Sequence, residues 1–139
     1  MSDRQVPMTI DDMLLRARDG LQRLQPEQVA GELADGAILV DIRPAAQRAA
    51  EGEVPEALVL ERNVLEWRCD PASDARVSAA VDHDVRWIIL CSQGYTSSLA
   101  AASLQQLGLH RATDVVGGYQ ALTRVRLHSD LVPQFSVDG

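Results

Sequence analysis

Trp87-Ile88-Ile89-Leu90-Cys91-Ser92-Gln93-Gly94-Tyr95-Thr96-Ser97-Ser98-Leu99-Ala100-Ala101-Ala102 carries an apolar run into a cysteine and then, across a short polar loop, into an alanine-rich segment. Trp87 to Leu90 has the continuous apolar character of a strand buried on both faces. Ser97 or Ser98 suits the N-cap of a helix that continues through Ala100, Leu104 and Leu107. Gly94 permits a positive φ, so the backbone N–H groups of the loop can converge on one point. The first turn of the helix adds unpaired donors and the positive end of its dipole. A negative sulfur on Cys91 is stabilised in such a setting, and the thiolate is the nucleophilic form of cysteine. The same residues also fit an inert buried cysteine at a strand end, since cysteine is among the most buried residue types.

The rest of the chain alternates helical and extended patterns. Thr9 with Asp12 three residues on predicts a capped helix bearing Met13, Leu14, Ala17, Leu21 and Leu24 at helical spacing. Pro26 suits a first helical position ahead of Val29 and Leu33, and Asp35-Gly36 reads as a turn. Ala37 to Val40 predicts a buried strand, Pro44 starts a short helix, Ala57 to Leu60 a second strand, and Val64 to Trp67 a helical turn. Asp70 to Ser73 reads as a loop, and Thr113 to Val116 as the last strand. Strands separated by helical stretches imply an α/β fold with a parallel sheet covered on both faces. Ligands bind such sheets at the carboxyl ends of the strands, where Cys91 lies.

The order strand, Cys91-x-x-Gly94-x-x-Ser97, alanine-rich helix, then Thr113-Asp114-Val115-Val116-Gly117-Gly118-Tyr119, resembles the rhodanese sulfurtransferases in single-domain form. Two further landmarks carry the resemblance. Ile38-Leu39-Val40-Asp41-Ile42-Arg43 is similar to the family's apolar strand with Asp-x-Arg, and Gly52-Glu53-Val54-Pro55-Glu56-Ala57 to its Gly-His-Ile-Pro-Gly-Ala segment. The match spans about Leu24 to Arg126. It implies a rhodanese-like three-layer fold over residues 24–128, preceded by an N-terminal helical extension, 1–23, and followed by a loosely held tail, 129–139. The chain departs from the family at Thr96, where many members carry Arg, at Glu53 and Glu56 around the Pro, and at Leu122 in place of a Trp. The extension carries an apolar face that would pack against the domain or against a second copy, so a monomer and a homodimer are both open.

The resemblance implies sulfur relay. Cys91 would take sulfur from a small donor as a persulfide and pass it to a thiol or cyanide, without metal or organic cofactor. By position, Ser92, Gln93 and Thr96 would hydrogen-bond the donor or persulfide, Gly94 would set the loop backbone, and Tyr95 would line the mouth. Ser97 would join the ring of amides, although with Ser98 it also suits a helix cap. Asp41 and Arg43 would brace the loop, as an ion pair or with Arg43 as the cation for an anionic donor. The loop Cys-Ser-Gln-Gly-Tyr-Thr is similar to the Cys-Gly-Ser-Gly-Val-Thr loop of mercaptopyruvate sulfurtransferases, which implies a donor less charged than thiosulfate, because Thr96 offers a hydroxyl where Arg would offer a charge.

Composition narrows the alternatives. A chain of 139 residues, 46% hydrophobic, suffices for one domain with a core, and the net charge of −7 lacks the basic footprint that nucleic acid or an anionic membrane requires. Two cysteines, Cys69 and Cys91, with no secretory signal and no long apolar segment, imply a soluble protein of the reducing cytoplasm. Cys69 lacks a glycine-rich loop or a helix start and reads as a packing residue. His83, His110 and His128 lack metal-ligand spacing. Phosphatases that use a cysteine before a helix place Arg six residues after it, a position held here by Ser97. A non-catalytic or oxidant-sensing module of the same fold is the remaining alternative.

Overall fold

The structure is a computed structural model and describes residues 6–130, with side chains to 126. Helix α1 (Ile10–Asp19) opens on the expected capping box: Thr9 Oγ1 accepts the Asp12 N–H at 3.0 Å, and Asp12 Oδ2 accepts the Thr9 N–H at 3.3 Å. A 3-10 turn (Pro26–Gln28) leads into α2 (Val29–Ala34), β1 (Ile38–Asp41), α3 (Ala45–Glu51) and β2 (Leu58–Val59). A second 3-10 turn (Arg62–Val64) precedes α4 (Leu65–Cys69) and β3 (Trp87–Leu90). Helix α5 (Thr96–Gln106), β4 (Thr113–Asp114) and α6 (Gly118–Asp130) complete the order.

The four strands are parallel in the order β2-β1-β3-β4. Period-two alternation divides their side chains between two layers. Leu39, Ile88 and Leu90 join Val29 of α2 and Leu122 of α6 on one face. Val40, Trp87 and Ile89 join Leu65 and Cys69 of α4 and Ala100, Ala101 and Leu104 of α5 on the other. All four β3 residues are fully buried, so the central strand is fixed from both sides, at about 1.5–3 kcal/mol per large apolar side chain. The three-layer α/β architecture is the one the sequence implies.

The outer strands are shorter than their apolar runs. β4 pairs with β3 only at Thr113 and Asp114, and beyond it Val115 bridges Leu24 of the segment after α1: Leu24 N–H bonds Asp114 O at 3.0 Å, and Val116 N–H bonds Leu24 O at 2.9 Å. β2 ends where Leu60 makes its last bond to Asp41 O and the chain coils into the Arg62–Val64 turn. Helix α1 packs on α5, burying Leu14, so the extension covers the domain to which it is joined. Of the tail expected at 129–139, residues 129 and 130 are instead the last turn of α6, because the helix begun at Gly118 continues to Asp130, and 131–139 lie outside the described residues. Parallel topology gathers the carboxyl ends of all four strands at one edge, which places Arg43, Cys91 and Val115 beside the same rim.

Candidate active site

Cys91 follows β3 and points its sulfur into the turn ahead of α5. Its Sγ receives the Gly94 N–H at 3.2 Å and the Ser97 N–H at 3.4 Å, and the residue is 4% exposed. Gly94 has φ +85°, and a Cβ there would stand 2.8 Å from Gly117 N. The start of α6 closes the loop from behind, with Tyr119 N–H on Cys91 O at 2.8 Å and Gln120 N–H on Ser92 O at 3.0 Å. Gly118, at φ +60°, makes that approach possible, since a Cβ would lie 2.7 Å from Gly94 N. The Gly117-Gly118 pair that follows the last strand thus packs its backbone on the cysteine loop itself.

The loop side chains divide into two sets. Gln93, Tyr95 and Thr96 are exposed. Ser92 donates to Glu51 Oε2 at 2.9 Å and accepts from Gln120 Nε2 at 3.4 Å. Ser97 and Ser98 are fully buried, and neither caps α5: the N-cap is Tyr95, with no side-chain cap. Both hydroxyls donate instead to Asp114 Oδ2, at 2.7 and 2.8 Å. The reason is tertiary. With the first-turn amide of Ser97 facing the sulfur, the serines tie the start of α5 down to a carboxylate on β4. Ser97 therefore meets the sulfur through its backbone alone.

Arg43 does not stand as a free cation for a donor. Its side chain has no exposed surface, and it bonds Asp41 through Nε at 3.0 Å and Nη2 at 2.7 Å, Glu51 at 3.0 Å and the Gly52 carbonyl at 2.8 Å. It also lies 4.0 Å from the centre of the Tyr119 ring. Burial works to lower its pKa, but the bonds to Asp41 and Glu51 outweigh it and hold the guanidinium above its ordinary value. The ion-pair reading of Asp41 and Arg43 is the geometry found. Tyr119 Oη adds a bond to Glu51 O at 2.8 Å, joining α3 to α6.

Four residues of this neighbourhood carry no local signal that the sequence reading used. Glu51 links Arg43 to Ser92. Asp114 accepts both serines and a bidentate contact from Arg23, at 2.8 and 3.2 Å. Arg18 and Arg23 both reach Gly94 O. A fully buried acid within a strand is the one available hint, and it points to Asp114. Cys69 is fully buried, and burial, with Glu66 adding to it, pushes its thiol up to about 12, which fits a packing role. Among the described residues no cluster of His, Cys, Asp and Glu could hold a metal, and no helix is long and apolar enough to cross a membrane.

A cysteine at the carboxyl end of a central parallel strand, cradled by amides of a loop that runs into a helix, defines a class of α/β domains built around one sulfur. Within that class the chain belongs to the rhodanese-like domain family, whose model matches residues 25–124. It is 30% identical over 99 residues to the thiosulfate sulfurtransferase GlpE of Pseudomonas savastanoi pv. phaseolicola, covering 71% of this chain and 84% of that protein. Among solved structures it is similar to a protein of unknown function, a possible tyrosine phosphatase, from Rhodopseudomonas palustris CGA009. That likeness has a TM-score of 0.77 at 25% identity, over 88% of this chain and 95% of the other. The human single-domain sulfurtransferase TSTD1 shares the fold, with a TM-score of 0.59 at 23% identity over 73% of this chain and 95% of the other.

Proposed function

We propose that this chain is a sulfurtransferase that carries sulfane sulfur as a persulfide on Cys91. The observation that carries the reading is the pair of backbone N–H groups, from Gly94 and Ser97, directed at Cys91 Sγ. Amides fixed in this way stabilise a sulfur anion without a separate base. In the first step the Cys91 thiolate attacks the outer sulfur of the donor. The S–S bond to Cys91 forms, the donor's own bond to that sulfur breaks, and the remainder leaves with the bonding electron pair, as sulfite from thiosulfate, a thiolate from a persulfide, or, from mercaptopyruvate, the enolate of pyruvate, which then takes up a proton. In the second step an acceptor thiolate or cyanide attacks the outer sulfur, and Cys91 departs as thiolate. No metal or organic cofactor enters either step.

Gln93, Tyr95 and Thr96, exposed on the loop that follows Cys91, and the half-buried Ser92 would meet the donor. The name of the GlpE relative points to thiosulfate. The site here argues for a donor of lower charge, mercaptopyruvate or a small persulfide, because Thr96 is uncharged, Arg43 is sealed and the Glu51 carboxylate bonds Ser92. Phosphate-ester chemistry is disfavoured because the position where phosphatases place their arginine is Ser97, with its hydroxyl turned to Asp114.

Intact mass after exposure to a sulfane donor tests the reading. The wild-type chain should gain one sulfur atom, and Cys91→Ser should gain none. A Cys91→Ser variant that still turns over donor would move the site elsewhere. Comparing kcat/KM for thiosulfate, mercaptopyruvate and glutathione persulfide tests the donor class, which a clear preference for thiosulfate would refute.

A further inference from the structure

We infer that Arg18 and Arg23, which precede the family-matched segment, are positioning residues for the sulfur-binding loop and supply the positive charge that the loop lacks at Thr96. The inference deepens the sulfurtransferase reading and rests on it for its biological sense, but its geometry is independent. Arg18, in the last turn of α1, donates from Nη2 to Gly94 O at 2.8 Å and from Nε to Ser98 Oγ at 2.9 Å. Arg23 donates from Nη2 to the same carbonyl at 2.9 Å while its Nε grips Asp114. One carbonyl thus accepts two guanidinium groups.

The peptide bond is planar and trans, so a Gly94 carbonyl drawn toward the arginines turns the Tyr95 N–H the opposite way, away from them. The N–H groups on Cys91 Sγ belong to Gly94 and Ser97, so the arginines act on the sulfur by fixing, at Gly94 O and Ser98 Oγ, the stretch of backbone that carries them, whereas a loop arginine would act through a side chain.

Charge bookkeeping supports the assignment. Arg23 pairs with the buried carboxylate of Asp114, and Arg43 stands between Asp41 and Glu51, the latter on Ser92, so Arg18 is the added cation of the neighbourhood in a chain whose overall charge is −7. Among the described residues Arg18 pairs with no carboxylate. Its partners are the Gly94 carbonyl, the Ser98 hydroxyl and the Tyr95 ring, whose centre lies 5.5 Å from the guanidinium carbon. A half-buried arginine that spends its donors on a loop carbonyl and a helix start is placed to hold that loop.

The test is the rate at which iodoacetamide alkylates Cys91, resolved by peptide mass and measured against pH in the full chain. Arg18→Gln removes the charge without orphaning an acid, so the fold is retained. It should slow alkylation near neutral pH by roughly three- to tenfold, the net size of one ordinary hydrogen bond, and converge with wild type at high pH, where the thiol is ionised in both. Arg18→Lys should recover part of the loss. Arg23→Gln should give the same profile together with a lower Tm, because Asp114 loses its cation. An unchanged profile in Arg18→Gln, or a loss equal at every pH, overturns the inference. Because alkylation needs no sulfur donor, a shifted profile in a chain that never loads sulfur would sink the sulfurtransferase reading alone. Sulfur loading with an unshifted profile would sink only the role of the arginines.

Discussion

Gly118 and Cys91 touch through their backbones: a Cβ at position 118 would lie 2.5 Å from the Cys91 carbonyl oxygen and 2.8 Å from Gln93 N. The φ of +60° alone costs an L-residue about 1–2 kcal/mol, and the clash is with backbone that has no rotamer to change. Gly118→Ala should therefore push α6 off the loop and misplace the amides that face Cys91 Sγ. The expected outcome is a lower Tm together with loss of sulfur loading in the intact mass. Gly31→Ala is the control, because a Cβ there meets nothing within 4 Å. Full loading by Gly118→Ala would show that this contact does not set the loop.

The two cysteines should part company toward alkylating agents. Cys69 sits under α4 with its thiol pushed up to about 12, first by burial and then by Glu66, whereas Cys91 stands at the rim with two N–H groups on its sulfur. Native protein treated with iodoacetamide at mildly alkaline pH should acquire one adduct, on Cys91, and a second only after unfolding. Modification of Cys69 in the folded chain at a comparable rate would contradict this burial.

Removing the Arg43 cation should damage stability first. Arg43→Met leaves Asp41, 1% exposed, without its bidentate partner and frees Glu51 from one side. Breaking a buried pair in this way costs about 3–5 kcal/mol. Urea unfolding should show a loss of that size. In the protein that remains folded, the KM for donor should move little, since the guanidinium has no surface from which to touch one. A large KM change with unaltered stability would restore Arg43 as a donor contact.

Glu66 gives the fold an acid-sensitive tie. Burial works to raise its carboxyl, but bonds from Ser103 and from Arg62, the latter at 3.0 Å, outweigh it and hold the group below its ordinary value of 4.5. A depressed folded-state value means that the unfolded chain binds the proton first. The contribution is complete above about 4.5 and is lost as pH falls through the lower, folded value. Glu66→Gln should be less stable than wild type at neutral pH, and the gap should close on acidification below 4.5 in urea titrations. A gap that stays constant with pH would assign the loss to packing.

What the sequence makes legible is what lies close together along the chain. The β3–loop–α5 unit, the capping box at Thr9 and the glycine pair at Gly117-Gly118 are patterns a few residues long, and each is found where its local chemistry implies. What it leaves hidden depends on tertiary packing, in most cases on partners far apart in sequence. Ser97 and Ser98 have the right chemistry for caps, yet they bond Asp114, sixteen or more residues downstream, because tertiary packing offers a carboxylate that a cap position does not. Arg18 and Arg23 look like solvent-facing charges in their own helix and linker. Only folding carries them 76 and 71 residues along the chain to Gly94. Arg43 has the charge for a donor contact, and Asp41, Glu51 and Tyr119 jointly enclose it.

Thr96 is the position at which donor choice should be most open to change. It is exposed, it begins α5, and its side chain takes part in none of the bonds that hold Asp114 or Gly94. Thr96→Arg would therefore add a guanidinium at the loop without breaking the network behind it. A dianion gains more from that charge than a monoanion does, by about twice the Coulomb term at equal distance and screening. The ratio of kcat/KM for thiosulfate to that for mercaptopyruvate should rise roughly tenfold, the equivalent of about 1.4 kcal/mol in the transition state. The gain should shrink as ionic strength increases, because an exposed cation is screened. An unchanged ratio at low salt would mean that donor charge is read elsewhere, and would leave Glu51 beside Ser92 as the group to change next.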